Sequence, residues 1–312
     1  MPEPGAPGVV TVLDPSPLLT VEIEPGADAE DEIHLHVGGQ GFWVAQMLGV
    51  LGARPRLCGC FGGEPGRVLT GLIEPATVPV GLIRVDVAEP NGAVVYDRRS
   101  GSREEIARMD PPPLSRHAVD DLYTAALGAG DPARVAVLTG PPRMDLLPAD
   151  TYRRLAADWR ALGVAVVADL SGPPLLAALE GGIDLLKVSH EDLISDGLAA
   201  GPDPAQLRSA LADLRRRGAG AVVISRGGEP ALALVGDRVV EVVPPPLQSV
   251  DTRGAGDSMT AAMAAALSAG ATLEDALRLG AAAGGLNATR RGLATGQREV
   301  IEQLVGRVEL RD

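Results

Sequence analysis

The 312-residue sequence contains few aromatic residues, a single lysine and two cysteines. Aromatic residues make up 2% of the chain, whereas apolar residues make up 46%, so alanine, valine and leucine must fill most of the interior. Small aliphatic side chains suit helices that cover both faces of a buried parallel sheet. The composition therefore predicts an α/β protein, and the chain is long enough to bury a substantial core.

The sequence also lacks an excess of basic residues. Its formal net charge is −13, and binding to nucleic acid or to an anionic membrane requires a positive surface. We therefore expect neither partner. The N-terminal stretch MPEPGAPG has no basic segment followed by an apolar run, and no apolar run approaches the roughly 20 residues that span a bilayer. These absences predict a cytoplasmic protein.

Cysteine and histidine give no clear metal-binding pattern. Cys58 and Cys60 are separated by one residue, a spacing that rarely closes a disulfide, and no set of metal ligands accompanies them. His34 and His36 would share one face of a strand, but no carboxylate or cysteine cluster joins them at a useful spacing. We expect the cysteines to be small core residues and the histidine pair to hold no metal.

A repeated β-α pattern occupies the second half of the chain. The strand-like segments are 135–140, 164–170, 184–189 and 221–227, and the helical segments between them are 146–162, 174–180 and 204–217. Such alternation predicts a Rossmann-type, doubly wound parallel sheet with helices on both faces. Ligands of such sheets bind at the carboxyl ends of the strands. We expect a single domain over residues 1–312.

The N-terminal third has a different rhythm. Alternating apolar and polar residues predict strands at 19–24, 33–37, 82–87 and 93–98. We expect these strands to form a small antiparallel sheet, inserted at about residues 17–37 and 82–108, that covers the site as a lid. One apolar face of this sheet would be exposed on a monomer, which favours a homodimer through the lid.

The strongest functional signal begins at Asp251 and reads DTRGAGDSMTAAM. Strong helix formers follow the two glycines, so Gly254, Ala255 and Gly256 should lie at a helix N-terminus. Amides at a helix N-terminus lack intrahelical partners and carry the positive end of the macrodipole, so they can cradle an anion. Asp257 would be a carboxylate beside that anion, which suits attack on a phosphoryl group. The plainer alternative is a capping aspartate after a tight turn.

This segment resembles the C-terminal signature of the PfkB/ribokinase family of carbohydrate kinases. The longer stretch VVPPPLQSVDTRGAGDSM resembles in particular the branch of 1-phosphofructokinase, minor 6-phosphofructokinase and tagatose-6-phosphate kinase. Four further segments resemble family motifs in the right order along nearly the whole chain, namely GGQGFWVAQMLGVLG, VADLSGPPLLAAL, DLLKVSHEDL and VVISRGGEPALALV. The resemblance implies a ribokinase-like fold with a β-sheet lid. It also implies an ATP-dependent kinase that phosphorylates a hydroxyl of a sugar or sugar-like small molecule.

The resemblance further implies roles for individual residues. Asp257 would take the proton from the acceptor hydroxyl, the amides at Gly254–Gly256 would hold the γ-phosphoryl group, and Mg²⁺ would bridge the ATP phosphates. The residues implied to line the ATP phosphates are Lys187, Ser189, Ser225, Gly227 and Gly256, and those implied to admit the acceptor are Gly38 and Gly39. A homodimer through the lid is implied as well.

One departure from the family pattern falls in the motif Lys-Pro-Asn-x-x-Glu. Here Ser189 replaces the asparagine and Asp192 replaces the glutamate. We expect Asp192 to be the metal ligand, with Ser189 beside the phosphates.

The segments implied to bind the acceptor depart further from the family pattern. Leu18 stands where the family has a sugar-binding aspartate, Gln40 where it has a lysine, and Trp43 where it has an asparagine. Trp43 would offer a ring a flat apolar surface, and Asp14 either replaces the missing acceptor group or caps a strand end. The arginine that binds the substrate phosphate in this branch falls near Glu89, whose carboxylate would repel a phosphate. We expect an acceptor other than the usual sugar monophosphates. The alternative is that the alignment is shifted by a residue or two in this region, and that Arg98, Arg99 or Arg103 folds back to bind the phosphate. The alternative function is a nucleotide-binding regulatory protein on a kinase fold.

Overall fold

The computed structural model describes residues 8–26, 30–74, 78–130, 133–290, 294 and 296–312. Residues 1–7, which carry most of the stretch that predicts the absence of a leader, lie outside this part of the chain. The strands are β1 (Val9–Leu13), β2 (Leu18–Pro25), β3 (Asp31–Gly38), β4 (Arg54–Phe61), β5 (Gly81–Asp86), β6 (Ala93–Asp97), β7 (Glu104–Met109), β8 (Val135–Thr139), β9 (Ala165–Asp169), β10 (Ile183–Ser189), β11 (Ala219–Arg226), β12 (Glu229–Val235), β13 (Arg238–Val243) and β14 (Glu309–Arg311). The helices are α1 (Gln40–Val50), α2 (Gly63–Ile73), α3 (Arg116–Gly130), α4 (Asp150–Ala161), α5 (Gly172–Gly181), α6 (His190–Ser195), α7 (Pro204–Arg216), α8 (Ala255–Ser268), α9 (Leu273–Ala288) and α10 (Arg298–Val305).

Within the described residues, ten strands form one large sheet. Their order is β14-β13-β12-β11-β10-β9-β8-β1-β4-β5. The strands from β11 to β5 pair in parallel, whereas β11, β12, β13 and β14 pair in antiparallel fashion. The predicted doubly wound parallel sheet is confirmed, and an antiparallel edge extends it.

Both faces of this sheet are buried, and β8 shows why. All five of its residues are buried. Val135 and Val137 pack with side chains of α1, α8 and α9, while Ala136 and Leu138 pack with side chains of α3, α4 and α5. Side chains alternate between the two faces of a strand, so a continuous apolar run is what a sheet between two helical layers requires.

The lid is a separate four-stranded sheet in the order β3-β2-β6-β7. The prediction that 82–87 belongs to the lid is wrong, because β5 pairs in parallel with β4 at the edge of the large sheet. The fourth lid strand is β7, and β2 pairs with β6 in parallel rather than antiparallel fashion. Alternating polarity marks any strand with one exposed face, so it does not distinguish an edge strand of the large sheet from a lid strand.

The centre of the large sheet contains a topological switch point. Strand β1 lies between β4 and β8 and is parallel to both. The chain continues from β1 to β4 and β5 on one side and from β8 to β9, β10 and β11 on the other, so the connections after β1 and after β8 lead in opposite directions. The hydroxyl of Thr139 at the end of β8 donates to the carbonyl of Leu13 at the end of β1, over 2.7 Å. A crevice at the carboxyl ends of such strands is the usual binding site of an open α/β sheet.

Three expectations about composition can be compared with the structure. Cys58 and Cys60 are buried free cysteines, as predicted, and burial raises the pKa of Cys58 to about 12. Among the described residues, no three histidine, cysteine or acidic side chains come together in a way that could hold a metal ion. No helix in this part of the chain has the length and apolarity needed to cross a membrane.

Trp159 provides a test of the packing between α3 and α4. Its side chain is fully buried, and its indole nitrogen donates to the carbonyl of Ala126 over 3.2 Å. Replacement of a buried tryptophan by alanine leaves a cavity and an unpaired acceptor, so we expect Trp159→Ala to lower the free energy of unfolding by about 3–5 kcal/mol. Leu162→Ala is the control, since Leu162 is 62% exposed beside the same helix, and should change stability by at most about 0.5 kcal/mol. Equal denaturation midpoints for the two variants would contradict this account.

Candidate active site

The segment that begins at Asp251 forms the start of helix α8, as predicted. Gly254 is the N-cap residue and has φ 71°, a left-handed backbone conformation that residues other than glycine rarely adopt. Asp257 lies in the first turn of α8. The amide of Ala255 donates to the carbonyl of Thr252 over 3.2 Å, so this amide already has an acceptor within the protein. The following amides, of Gly256 and Asp257, belong to a first helical turn, which has no intrahelical acceptors.

Gly256 allows a lysine to approach the helix closely. A Cβ atom at this position would lie 2.5 Å from Nζ of Lys187, a distance that a side chain could not tolerate. The only lysine of the sequence therefore lies directly against the start of α8, and it brings a positive charge to the amides there.

Lys187 is held by a buried ion pair. Its Nζ lies 3.0 Å from Oδ2 of Asp169 at the end of β9, and each side chain is 7% exposed. The hydroxyl of Thr260, on α8, donates to the same carboxylate oxygen over 2.7 Å. Burial opposes the charged form of Lys187, but the carboxylates of Asp169 and Asp257 outweigh burial and raise the pKa of Lys187. The lysine is therefore fully protonated at neutral pH.

Asp257 has the electrostatic environment of a general base. Burial and the neighbouring charge of Asp169 raise the pKa of Asp257 to about 7, although the Lys187 charge and a hydrogen bond from Gln40 oppose the shift. A carboxylate with a pKa near neutrality can accept a proton and remain partly ionised at physiological pH. Strongly shifted carboxylates in a crevice are typical of functional sites.

Gln40 connects three parts of the site. It is the first residue of α1, and its Oε1 accepts a hydrogen bond from the amide of Gly140, just beyond β8, over 2.8 Å. Its other contact is the hydrogen bond to Asp257. The sequence showed Gln40 only as a departure from a family lysine, and no local signal indicated that its side chain meets Asp257.

Asn287 is a second residue that the sequence did not reveal. It is fully buried on α9, donates to the carbonyl of Arg253 over 2.7 Å, and accepts from the amide of Ala294 over 3.1 Å. One buried side-chain amide therefore ties the loop that leads into α8 to α9 and to Ala294.

A cleft of about 500 Å³ opens on one side of the α8 N-terminus. All five residues predicted to line the ATP phosphates line this cleft, namely Lys187, Ser189, Ser225, Gly227 and Gly256. The opposite wall is apolar or small, and includes residues 244–247 together with Gly284 and Gly285 of α9. The cleft therefore has a polar, cationic end at Lys187 and a flat apolar end.

Asp192, the predicted metal ligand, has a structural partner. Its Oδ2 accepts from the hydroxyl of Ser189 over 2.6 Å, and its amide donates to the same hydroxyl over 3.0 Å. This reciprocal pair caps helix α6. The Asp192 charge still acts on Lys187, because it contributes to the raised pKa of that lysine.

A second pocket, of about 420 Å³, lies on the lid side and will be called the lid-side pocket. Its lining residues are Leu18, Thr20, Glu22, His36, Gly38, Gly39, Trp43, Gln46, Tyr96, Arg98, Arg103 and Arg253. The predicted acceptor-side residues Gly38, Gly39 and Trp43 are thus brought together there. Arg253 comes from the loop before α8, so this loop and helix adjoin both pockets.

Two expectations about the acceptor side need correction. Glu89 does not line the lid-side pocket; its Oε1 accepts from the amide of Ser115 over 2.8 Å. Positive charge is supplied by Arg98, Arg103 and Arg253. Arg98 and Arg103 are two of the arginines that the shifted alignment offered, and they lie at the two ends of the connection between β6 and β7, whereas Arg253 was not predicted.

Asp14 likewise does not line the lid-side pocket. It is 2% exposed, and its Oδ2 accepts from the amide of Phe42 in the first turn of α1 over 3.2 Å. Burial raises the pKa of Asp14 to about 7, against hydrogen bonds from the amides of Phe42 and Ser16. The contacts of Asp14 therefore fit the alternative of a capping role. Asp14 caps the start of helix α1 rather than the end of a strand.

Known proteins resemble this chain over most of its length. The chain matches the family model described as pfkB family carbohydrate kinase over residues 17–299. It is 30% identical over 259 residues to ATP-dependent 6-phosphofructokinase isozyme 2 of Escherichia coli K12, which covers 82% of each chain.

Solved structures give the same fold. The crystal structure of phosphofructokinase-2 from Escherichia coli in complex with fructose-6-phosphate has a TM-score of 0.80 at 25% identity, covering 96% of this chain and 99% of that chain. Arabidopsis thaliana ribokinase, complexed with ribose and ATP, has a TM-score of 0.73 at 24% identity, with 96% and 99% coverage. The predicted ribokinase-like fold is confirmed. The chain belongs to the pfkB family of carbohydrate kinases, phosphotransferases that act on a sugar hydroxyl.

Proposed function

We propose that this protein transfers the γ-phosphoryl group of ATP to a hydroxyl of a sugar or sugar-like small molecule, with Asp257 as the base. The observation that carries the proposal is the position of Asp257. The carboxylate of Asp257 has a pKa of about 7. The preceding residue, Gly256, lines the cleft, and Arg253, in the loop before α8, lines the lid-side pocket. A donor in the cleft and an acceptor in the lid-side pocket would meet at the start of α8.

The cleft fits a nucleoside triphosphate. Its apolar wall at residues 244–247 and its glycines on α9 suit a flat base, and its other end presents Lys187 and the first-turn amides of α8. Ser189, Ser225 and Gly227 line that end as well. Charge-assisted hydrogen bonds from a lysine and amides at a helix N-terminus are favourable contacts for phosphate oxygens.

The donor set at this end of the cleft also fits Mg²⁺. Magnesium is usually held by substrate phosphates, waters and one or two carboxylates rather than by a complete protein cage. The described residues contain no cluster of three metal-binding side chains. We assign the ion to Asp192, which does not itself line the cleft but adjoins the lining residues Ser189, to which it is hydrogen-bonded, and Glu191. The bound ion would neutralise charge on the ATP phosphates.

The residues of this chain suggest a direct transfer of the γ-phosphoryl group from ATP to the acceptor hydroxyl. The acceptor hydroxyl would lose its proton to the Asp257 carboxylate as its oxygen forms a bond to the γ-phosphorus. The bond from that phosphorus to the bridging oxygen would break, which releases ADP. The amides of Gly256 and Asp257 and the Lys187 ammonium group would stabilise the negative charge on the phosphoryl oxygens, and such preorganised contacts supply much of the catalysis in phosphoryl transfer.

We further propose that the protein is a homodimer through the lid. His36 lines the lid-side pocket, so Ile33 and Leu35, which alternate with it along β3, point to the opposite face. Ile33 is 64% exposed, Leu35 47% and Met109 44%. A second copy of this lid would cover these apolar side chains.

The first prediction concerns Asp257. General-base catalysis contributes about 10²–10⁴-fold, so Asp257→Asn should lower kcat by that factor in a coupled ADP-release assay and leave the affinity for ATP nearly unchanged. Asp275→Asn is a matched control, because Asp275 is also the third residue of a helix, α9, and is exposed. Wild-type turnover in Asp257→Asn would exclude this residue as the base. Nucleotide binding by the wild-type protein without transfer to any acceptor would instead favour a regulatory role.

The second prediction concerns pH. Only the deprotonated carboxylate can accept a proton, so kcat/KM for the acceptor should rise with pH and level off above the Asp257 pKa of about 7. One unit below this pKa the ionised fraction, and hence kcat/KM, should be about tenfold lower than the plateau. The residual activity of Asp257→Asn should lack this acidic limb. An identical limb in the variant would assign it to another group, such as the nucleotide.

The third prediction concerns the dimer. Light scattering at micromolar concentration should give the wild-type protein twice the chain mass of 32.0 kDa. Leu35→Lys places a charge in the proposed interface and should shift the protein towards monomer. Leu162→Lys introduces the same charge at an exposed position on the α4 side of the protein and should remain dimeric. A wild-type protein that is monomeric under these conditions would contradict the proposal.

A further inference from the structure

The arginines of the lid-side pocket are each paired with a carboxylate. Arg98 lies 3.1 Å from Glu22 and 3.0 Å from Glu24, measured from Nη1 to the carboxylate oxygens. Arg103 donates from Nε to the other oxygen of Glu22 over 3.0 Å. Arg253 forms a forked pair with Asp251, with Nε at 3.0 Å from Oδ1. Three arginines thus face three carboxylates.

Glu22 lies at the centre of this arrangement. It is in the middle of β2, it lines the pocket itself, and its side chain is 13% exposed. Burial disfavours its charge, but hydrogen bonds from Arg103 and Arg98 outweigh burial and lower the pKa of Glu22. The carboxylate is therefore ionised at neutral pH and uses both oxygens to hold two arginines from the segment that connects β6 to β7.

The rest of the pocket combines flat or apolar side chains with the polar side chains of Thr20, His36 and Gln46. Trp43 and Leu18 line it, and Tyr96 lies beneath the guanidinium of Arg103, whose central carbon is 3.2 Å from the ring centroid. Arg103 is thus stacked on one side and hydrogen-bonded to Glu22 on another. Both contacts fix the side chain, and the pocket offers a ligand stacking surfaces together with a balanced set of charges.

A phosphate monoester would be disfavoured in such a pocket. To gain a charge-assisted contact it would have to displace Glu22 from Arg98 and Arg103, and the displaced carboxylate would remain buried beside a dianion. An uncharged polyhydroxy compound would avoid this cost, because its hydroxyls can hydrogen-bond to the edges of paired groups and its ring can stack on Trp43.

We propose that the acceptor is an uncharged sugar or sugar-like compound, and that Glu22 determines this specificity by occupying the two arginines that would otherwise bind a phosphate. The inference rests on the proposed function of the same site. It distinguishes this chain from the Escherichia coli relative, whose structure holds fructose-6-phosphate.

Binding can be tested without turnover. The chain has two tryptophans; Trp43 lines the pocket and Trp159 is fully buried between α3 and α4, so fluorescence changes on acceptor binding should report Trp43. We would titrate matched pairs, fructose against fructose 6-phosphate and ribose against ribose 5-phosphate. In the wild-type protein the uncharged member of at least one pair should bind at least tenfold more tightly. Tighter binding of the phosphorylated member in both pairs would overturn the proposal.

The variant Glu22→Gln tests the cause. Among the described residues, it removes the only carboxylate paired with Arg103 and one of the two paired with Arg98, and it keeps the side-chain shape. The phosphorylated compounds should therefore bind at least tenfold more tightly than they bind to the wild-type protein. Glu302→Gln is the matched control, since it removes a carboxylate from a 2.7 Å pair with Arg298 on α10, outside the pocket, and should leave the preference unchanged. No gain in Glu22→Gln would show that Glu22 does not set the specificity.

Activity assays separate this inference from the proposed function. Efficient phosphorylation of sugar phosphates, with uncharged sugars as poor substrates, would overturn the acceptor class and leave phosphoryl transfer intact. Selective binding of uncharged sugars without ATP-dependent transfer would support the acceptor class and overturn the kinase activity.

Discussion

The buried ion pair between Lys187 and Asp169 is the contact on which the geometry of the site depends. It joins the ends of β9 and β10, and the hydroxyl of Thr260 ties α8 to the same carboxylate. A buried charge that loses its partner costs several kcal/mol, so these elements hold one another in register. The glycine at Gly256 is part of the same constraint, since any side chain there would displace the lysine. The absence of a side chain at Gly256 thus leaves room for the Lys187 ammonium group as well as for an anion at the helix N-terminus.

The two pockets differ in how their charges are used. In the cleft, Lys187 is paired with the buried carboxylate of Asp169 and lies against the first turn of α8, whose amides have no intrahelical acceptors. In the lid-side pocket the arginines are already balanced by Glu22, Glu24 and Asp251. A family of carbohydrate kinases can keep its donor site and vary its acceptor site in this way, because the two sites share only the start of α8 and its preceding loop.

Gln40 and Asn287 show how the shared segment is held. Gln40 links the first turn of α1 to Gly140 beyond β8 and to Asp257, while Asn287 fixes the loop before α8 from the side of α9. Both are amides, which can donate and accept at once. The lid is joined to α1 through β3, which ends at Gly38, two residues before Gln40.

The sequence by itself determined the features that depend on residues close together in the sequence. The helix at Asp257 and the parallel strands follow from local patterns, because turn glycines, helix formers and apolar periodicity act within a few positions. The five predicted residues of the cleft came from the resemblance to the family. Tertiary structure alone decided the rest. Residues 82–87 lie outside the lid because this strand pairs with β4. Asp14 does not face the lid-side pocket because it accepts from the amide of Phe42. Arg98 and Arg103 contact Glu22 although they are 76 and 81 positions away in the sequence. Such contacts join segments that are far apart in the sequence, and no local pattern records which of these segments will be neighbours.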